Sequence, residues 1–194
     1  MSQHQDTQTG PTIAQQLAQG IVKAHPENDV LGQHVGQRLI MDVAGICIAA
    51  RHEFYVKAAL SSFEQEGQCT VFGFEQKCGV EGAAFVNGIA AHGEDFDDTY
   101  EGGPVHAGVV IVPALLAAAE RHALSGEALL RGVAMGVEVM CRLCAVAPTR
   151  VHKAGFHPTA VFGVMGGVAG LGAALKLTEE QLVNAFGIAG SMAG

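Results

Sequence analysis

Residues 158–175 run for eighteen positions without a charge, and five of them are glycine: Gly163, Gly166, Gly167, Gly170 and Gly172. A stretch like this belongs either in a bilayer or in a protein interior. A bilayer span needs about twenty strongly apolar residues. This one offers little bulky aliphatic surface, so it reads as a buried helix. Glycines at Gly-x-x-Gly spacing let a second helix approach closely, which predicts a tight crossing. The order matches neither G-x-G-x-x-G nor the Walker pattern and follows no strand, so a nucleotide loop is unsupported. Residues 107–119 are also small or apolar, but they are interrupted by Pro113 and too short to cross.

The rest of the chain has the same character. Glycine accounts for 26 of 194 residues, tryptophan is absent and 49% of residues are hydrophobic. Charged residues are 15%, well under the roughly 25% of an average soluble chain. That leaves ample apolar surface to offset chain entropy and excludes disorder for the bulk of the sequence. Eleven basic residues against nineteen acidic ones give −8, which argues against nucleic acid and against an anionic membrane surface. Five cysteines, an odd number, with no charged-then-apolar leader point to reduced thiols in the cytoplasm. Residues 1–11 are polar and expected to be disordered, leaving 12–194 as one domain.

The apolar period is helical almost throughout. Leu39, Ile40, Val43, Ala44 and Cys47 share a stripe, and residues 83–92 read as a helix with Phe85, Ile89 and His92 on one side. Pro113 is placed to begin a helix running to Leu124, with a lead-in that fits strand or helix equally. Ser125 offers an N-cap with Glu127 in the first turn. Leu129, Val133, Val137, Met140 and Cys144 follow as a stripe, with Glu138 and Arg142 paired at i, i+4 on another face. Thr178 and Gln181 form a capping box, with Leu177 and Leu182 as its hydrophobic staple. Residues 70–74 are the single strand candidate. The class is all-α. The chain finishes on residues 188–194 without a polar tail, as expected if it stops inside a larger domain.

Chemistry concentrates in two segments. In the first, His92-Gly-Glu-Asp-Phe-Asp-Asp-Thr-Tyr100 is followed by His106. One reading is a loop whose Asp98 or Thr99 caps the next helix. Another is a metal site. Asp95, Asp97 and Thr99 imitate half of an EF-hand, but Tyr100 stands where glycine is needed and His106 where the bidentate glutamate belongs. A transition-metal cluster of His92, Asp95 and His106 stays open but unspecific. In the second segment, Lys153-Ala-Gly-Phe-His-Pro-Thr-Ala160, His157 precedes a proline and so takes extended backbone angles. That puts an imidazole at the mouth of a helix whose N-terminus favours anions. His157 alone fits a structural role as well; with His106 it makes a candidate acid/base pair. Cys141 and Cys144 match C-x-x-C but lie late in a helix, where nothing lowers a thiol pKa.

The run Asn87-Gly-Ile-Ala-Ala-His-Gly-Glu-Asp-Phe-Asp-Asp-Thr99, then His106-Ala-Gly108, Pro113-Ala114 and Glu120, resembles the MmgE/PrpD family. Asp42 with Gly45, Ser125-Gly-Glu-Ala-Leu-Leu130, Gly136-Val-Glu138 with Arg142, Gly155-Phe-His-Pro-Thr-Ala160 and Ala185-Phe-Gly-Ile-Ala-Gly-Ser191 extend the likeness over residues 12–194. The resemblance implies a large all-α domain, a smaller α+β lid not contained in this chain, a site between them and a homodimer. It implies a cofactor-independent lyase or isomerase moving a proton alpha to a carboxylate of a small di- or tricarboxylate. Dehydration of the 2-methylcitrate type comes first, with decarboxylation or epimerisation as variants, and no metal. Carried over residue by residue, it makes Asp95, His106 and His157 catalytic, with Thr99, His92 and Lys153 in contact with substrate. Family bases that hold carboxylates fall partly beyond position 194, so residues 1–194 alone are expected to be inactive. Ala107 departs from the proline that the family usually carries after the first histidine. The alternative is a catalytically inactive helical fragment whose role is dimerisation or binding.

Overall fold

The computed structural model describes residues 10–64 and 66–193, so most of the segment expected to be disordered lies outside the described residues. Among the described residues, nine α-helices carry the fold: α1 (Ile13–Lys23), α2 (Val30–Ala50), α3 (Phe54–Ser61), α4 (Val80–His92), α5 (Gly108–His122), α6 (Gly126–Val146), α7 (Arg150–Lys153), α8 (Pro158–Ala174) and α9 (Glu179–Met192). Two short strands, β1 (Cys69–Thr70) and β2 (Lys77–Cys78), pair antiparallel with Cys69 opposite Cys78. The all-α expectation holds. The strand candidate at 70–74 shrinks to this ladder because the buried Asn87 of α4 serves the segment instead. Its Nδ2 donates to the Thr70 carbonyl and its Oδ1 accepts from the Phe72 N–H, each at 2.9 Å.

Helix starts follow their caps. The Ser125 hydroxyl accepts from the Ala128 N–H at 3.2 Å, and Thr178 with Gln181 forms the expected capping box. Leu182 is fully buried with Leu177 packed beside it in one cluster, and Glu138 accepts from Arg142 at 2.6 Å. One boundary is a correction: α5 begins at Gly108, five residues before Pro113. Asp98 sets that start from across the preceding loop, its carboxylate accepting from the Ala107 N–H at 3.2 Å and the Gly108 N–H at 2.8 Å. Pro113 then falls in the second turn, where it lacks only the N–H that would have reached the Val109 carbonyl.

The glycine-rich helix is buried as predicted, and it crosses α6. A Cβ on Gly136 would stand 3.1 Å from the Gly166 carbonyl, and one on Gly170 would stand 2.8 Å from the Gly132 carbonyl. Two glycines spaced i, i+4 on each helix thus bring backbone against backbone. Ile111 and Leu115 of α5, both fully buried, close over this crossing. No helix among the described residues is long and apolar enough to cross a membrane. The crossing matters for function because it clamps α8, whose first turn carries the site.

Candidate active site

Three elements meet at one end of the molecule. α4 ends in His92, the loop to α5 supplies Asp95, Asp97 and His106, and the start of α8 supplies His157. The His92 ring centroid lies 4.9 Å from that of His106 and 5.3 Å from that of His157. His92 Nδ1 is 2.9 Å from Asp97 Oδ2, and His92 Nε2 is 3.3 Å from His157 Nε2. His106 Nδ1 approaches the same Asp97 oxygen at 3.2 Å, and its Nε2 is 3.8 Å from Asp95 Oδ1.

The two loop carboxylates live in opposite surroundings. The Asp97 side chain is 0% exposed and that of Asp95 is 78% exposed. Asp95 also has φ 56, a left-handed backbone that aspartate tolerates better than most residues, and its N–H donates to the His92 carbonyl at 3.1 Å. This tight turn lets Asp95 face solvent while Asp97, two residues on, faces inward. Asp98 is turned to the α5 cap, and burial pushes its carboxyl pKa up against the two N–H bonds that lower it. The capping reading of the acidic loop is therefore right for Asp98, and the same loop also builds the histidine cluster.

His157 has φ −82 and ψ 113, the extended backbone expected before proline. Its Nδ1 accepts from the Thr159 N–H at 3.2 Å and so caps α8 with an imidazole. The buried Thr159 returns a second tie, its hydroxyl accepting from the His106 N–H at 3.1 Å. Burial, then the neighbouring His92 and His106, lower the His157 pKa.

Asp95, His106 and His157 line a cleft of about 410 Å³ together with Pro104, His152 and Phe156. On the other side, His92 and His157 end an apolar groove of about 690 Å³ walled by Phe85, Ile89 and Val110. Thr99 is exposed on the same loop but outside the cleft wall, and Lys153 is the exposed last residue of α7. Neither is brought into the cluster; His152, beside Lys153, lines the cleft instead. Sequence reasoning missed the structural weight of Asp97 and Thr159. A charge-poor chain signals that a buried acid must be paired, but nothing local distinguishes Asp97 from its neighbours.

His92, Asp95, Asp97 and His106 each offer one ligand atom within 4.8 Å of the others. Two imidazoles and two carboxylates suit a divalent transition metal, but such an ion would compete with the bond that His92 and Asp97 already make. The C-x-x-C pair offers no redox centre: burial pushes the Cys141 thiol to about 11 and raises Cys144 as well.

The cis-aconitate decarboxylase of Aspergillus terreus is 33% identical over 161 residues, covering 78% of this chain and 33% of that protein. The human cis-aconitate decarboxylase is 38% identical over 122 residues, covering 58% of this chain and 24% of that protein. The matched part of the chain thus spans about a quarter to a third of the length of these curated relatives. A family model described as the MmgE/PrpD N-terminal domain matches residues 15–194. The chain belongs to the MmgE/PrpD family.

Proposed function

We propose that the protein is a lyase or isomerase that moves a proton alpha to a carboxylate of a small di- or tricarboxylate, with no cofactor. The observation that carries this reading is the convergence of His92, His106 and His157 with Asp95 and Asp97 at the mouth of α8, where His106, His157 and Asp95 line one cleft. Imidazoles supply proton transfer near neutral pH, and a clamped helix N-terminus favours the substrate's negative charge. His106, His157 and Asp95 are the catalytic residues of this proposal. Thr99, His92 and Lys153 are its substrate contacts, with Thr99 and Lys153 reaching substrate from outside the cleft wall. Decarboxylation of a cis-aconitate-like substrate gains support from the names of the relatives. Dehydration of a 2-methylcitrate-like substrate and epimerisation share its proton chemistry. The reaction belongs to the full-length homodimeric enzyme in the cytoplasm.

Turnover of cis-aconitate and of 2-methylcitrate by the full-length enzyme tests the proposal. His106→Ala and His157→Ala should each lower turnover by roughly 10²-fold or more. Near-normal turnover in either variant removes that histidine from the chemistry. A second reading, a helical unit acting through association, is favoured by Val30, Leu31, Val35 and Met41, all exposed along α2. Under either reading this chain should dimerise or self-associate, and light scattering at micromolar concentration checks it: a clean 20 kDa monomer would count against it.

A further inference from the structure

The hydrogen bonds around the three histidines constrain where each proton sits. A backbone N–H can only donate, so the Thr159 N–H pointing at His157 Nδ1 requires an unprotonated nitrogen there. A neutral His157 then carries its proton on Nε2, which lies 3.3 Å from His92 Nε2. That contact is a hydrogen bond only if His92 Nε2 accepts. His92 must then hold its own proton on Nδ1, which faces Asp97 Oδ2 at 2.9 Å, an acceptor when ionised. The chain Asp97–His92–His157 is thus satisfied by one set of tautomers, running in one direction. Asp97 Oδ2 also stands 3.2 Å from His106 Nδ1, outside hydrogen-bond geometry, so that nitrogen has no hydrogen-bond partner among the described residues and only the charge of the carboxylate favours a proton there. A proton on that nitrogen leaves the lone pair of His106 on Nε2, beside the exposed Asp95 and on the cleft.

We propose that Asp97 is a positioning residue: through His92 it holds His157 as the neutral Nε2–H tautomer, and it leaves His106 Nε2 as the one free imidazole lone pair of the cluster. His106, and not His157, is then the group that takes up a substrate proton. This assignment rests on the acid–base reading of the site given above. In the dehydration or epimerisation form of the step, a substrate C–H bond breaks, its electron pair stays on the carbon next to the carboxylate, and the proton forms a new N–H bond at His106 Nε2. In decarboxylation a C–C bond breaks instead, and the same nitrogen, protonated beforehand, returns a proton to that carbon. The imidazolium faces the buried Asp97 carboxylate, whose Oδ1 has no hydrogen-bond partner among the described residues and whose charge needs a counter-charge. His157 cannot play that part without losing its bond to the Thr159 N–H and uncapping α8. It is a neutral donor whose Nε2–H is given to His92 in the resting cluster.

Ring ¹⁵N–¹H correlation spectra of histidine-labelled protein at mildly alkaline pH test the assignment directly, because the protonated and unprotonated nitrogens of each ring are resolved. The expected pattern is Nε2–H for His157 and Nδ1–H for both His92 and His106. A wild-type spectrum with His157 protonated at Nδ1, or with His92 protonated at Nε2, overturns the proposal without need of any variant. Asp97→Asn should relax His92 and His106 into mixed tautomers; ring shifts unchanged by that substitution also overturn it. In the full-length enzyme, Asp97→Asn should lower kcat about tenfold or more while KM stays within about twofold. Tautomers as assigned together with absent turnover would leave the positioning network standing and refute the acid–base reading instead. Tautomers as assigned with His106→Ala fully active would refute His106 as the proton acceptor.

Discussion

Along its middle, α8 meets α6 through Gly166 and Gly170, almost without side chains; at its first turn it meets α4 and the acidic loop through the side chains of His157 and Thr159. The two contacts solve different problems. Backbone against backbone leaves little room for alternatives, since any added Cβ runs into a carbonyl. The histidine cluster is held by individual polar pairs, and it carries features that the crossing lacks: an unpartnered buried oxygen on Asp97 and a left-handed Asp95. Such features concentrate where a surrounding framework over-determines the geometry. The rigid half of α8 is what holds the reactive half in place.

The largest effect should come from breaking the crossing. Gly166→Val puts a branched side chain within about 3.0 Å of the Gly136 carbonyl and of Ile111, and should cost about 3 kcal/mol or more in denaturant unfolding. Gly167 sits next to it on the same helix with nothing within 4 Å of an added Cβ. Gly167→Ala should therefore gain roughly 0.5–1 kcal/mol from helix propensity. Equal stabilities for the two variants would show that the close approach is not what holds α8.

At the other end the order of effects reverses, with chemistry lost and fold kept. His157→Ala should forfeit turnover as stated above while losing only about 1 kcal/mol of stability through the missing cap, read from the same unfolding curves. A loss of several kcal/mol would make His157 part of the framework and erase the contrast.

Acid sensitivity offers a finer probe. The His157 pKa in the folded chain lies below its ordinary 6.5, because burial and then the His92 and His106 rings oppose a charge, while Asp95 favours one. Above 6.5 both folded and unfolded chains hold it neutral, and it adds nothing to the pH slope. Below 6.5 the unfolded chain binds the proton first, so stability falls as pH falls toward the lowered value. His157→Gln should lose less stability than wild type between neutral pH and pH about 5; parallel curves would show that this imidazole is not the group being opposed.

The smallest expected effect is none. Exhaustive chelation should leave turnover unchanged, since His92 and Asp97 already satisfy each other. Activity lost to EDTA and restored by one divalent ion would assign the four converging ligand atoms to a metal instead.

Much of the fold is legible in the sequence. The helical period, the Ser125 and Thr178 caps and the charge-free stretch at 158–175 are short-range properties, and each appears where expected. The His-and-acid run at 92–106 and the His-Pro step at 157 likewise marked the chemistry, because polar groups in so apolar a chain need a reason. Pro113 misled because a local rule about helix starts lost to Asp98, which caps α5 from ten residues away.

The sequence by itself therefore determined the all-α class, the starts of α6, α8 and α9, the burial of the glycine helix and the two segments that hold the site, since these follow from propensity, capping and hydrophobic period between near neighbours. Only the tertiary structure decided that Gly132 and Gly136 are the partners of Gly170 and Gly166, that Asp97 rather than Asp95 is buried, and that His92 reaches His157 across 65 positions of chain. Those pairings depend on how separated helices cross. A crossing is selected by the fit of whole surfaces, which no local pattern of residues encodes.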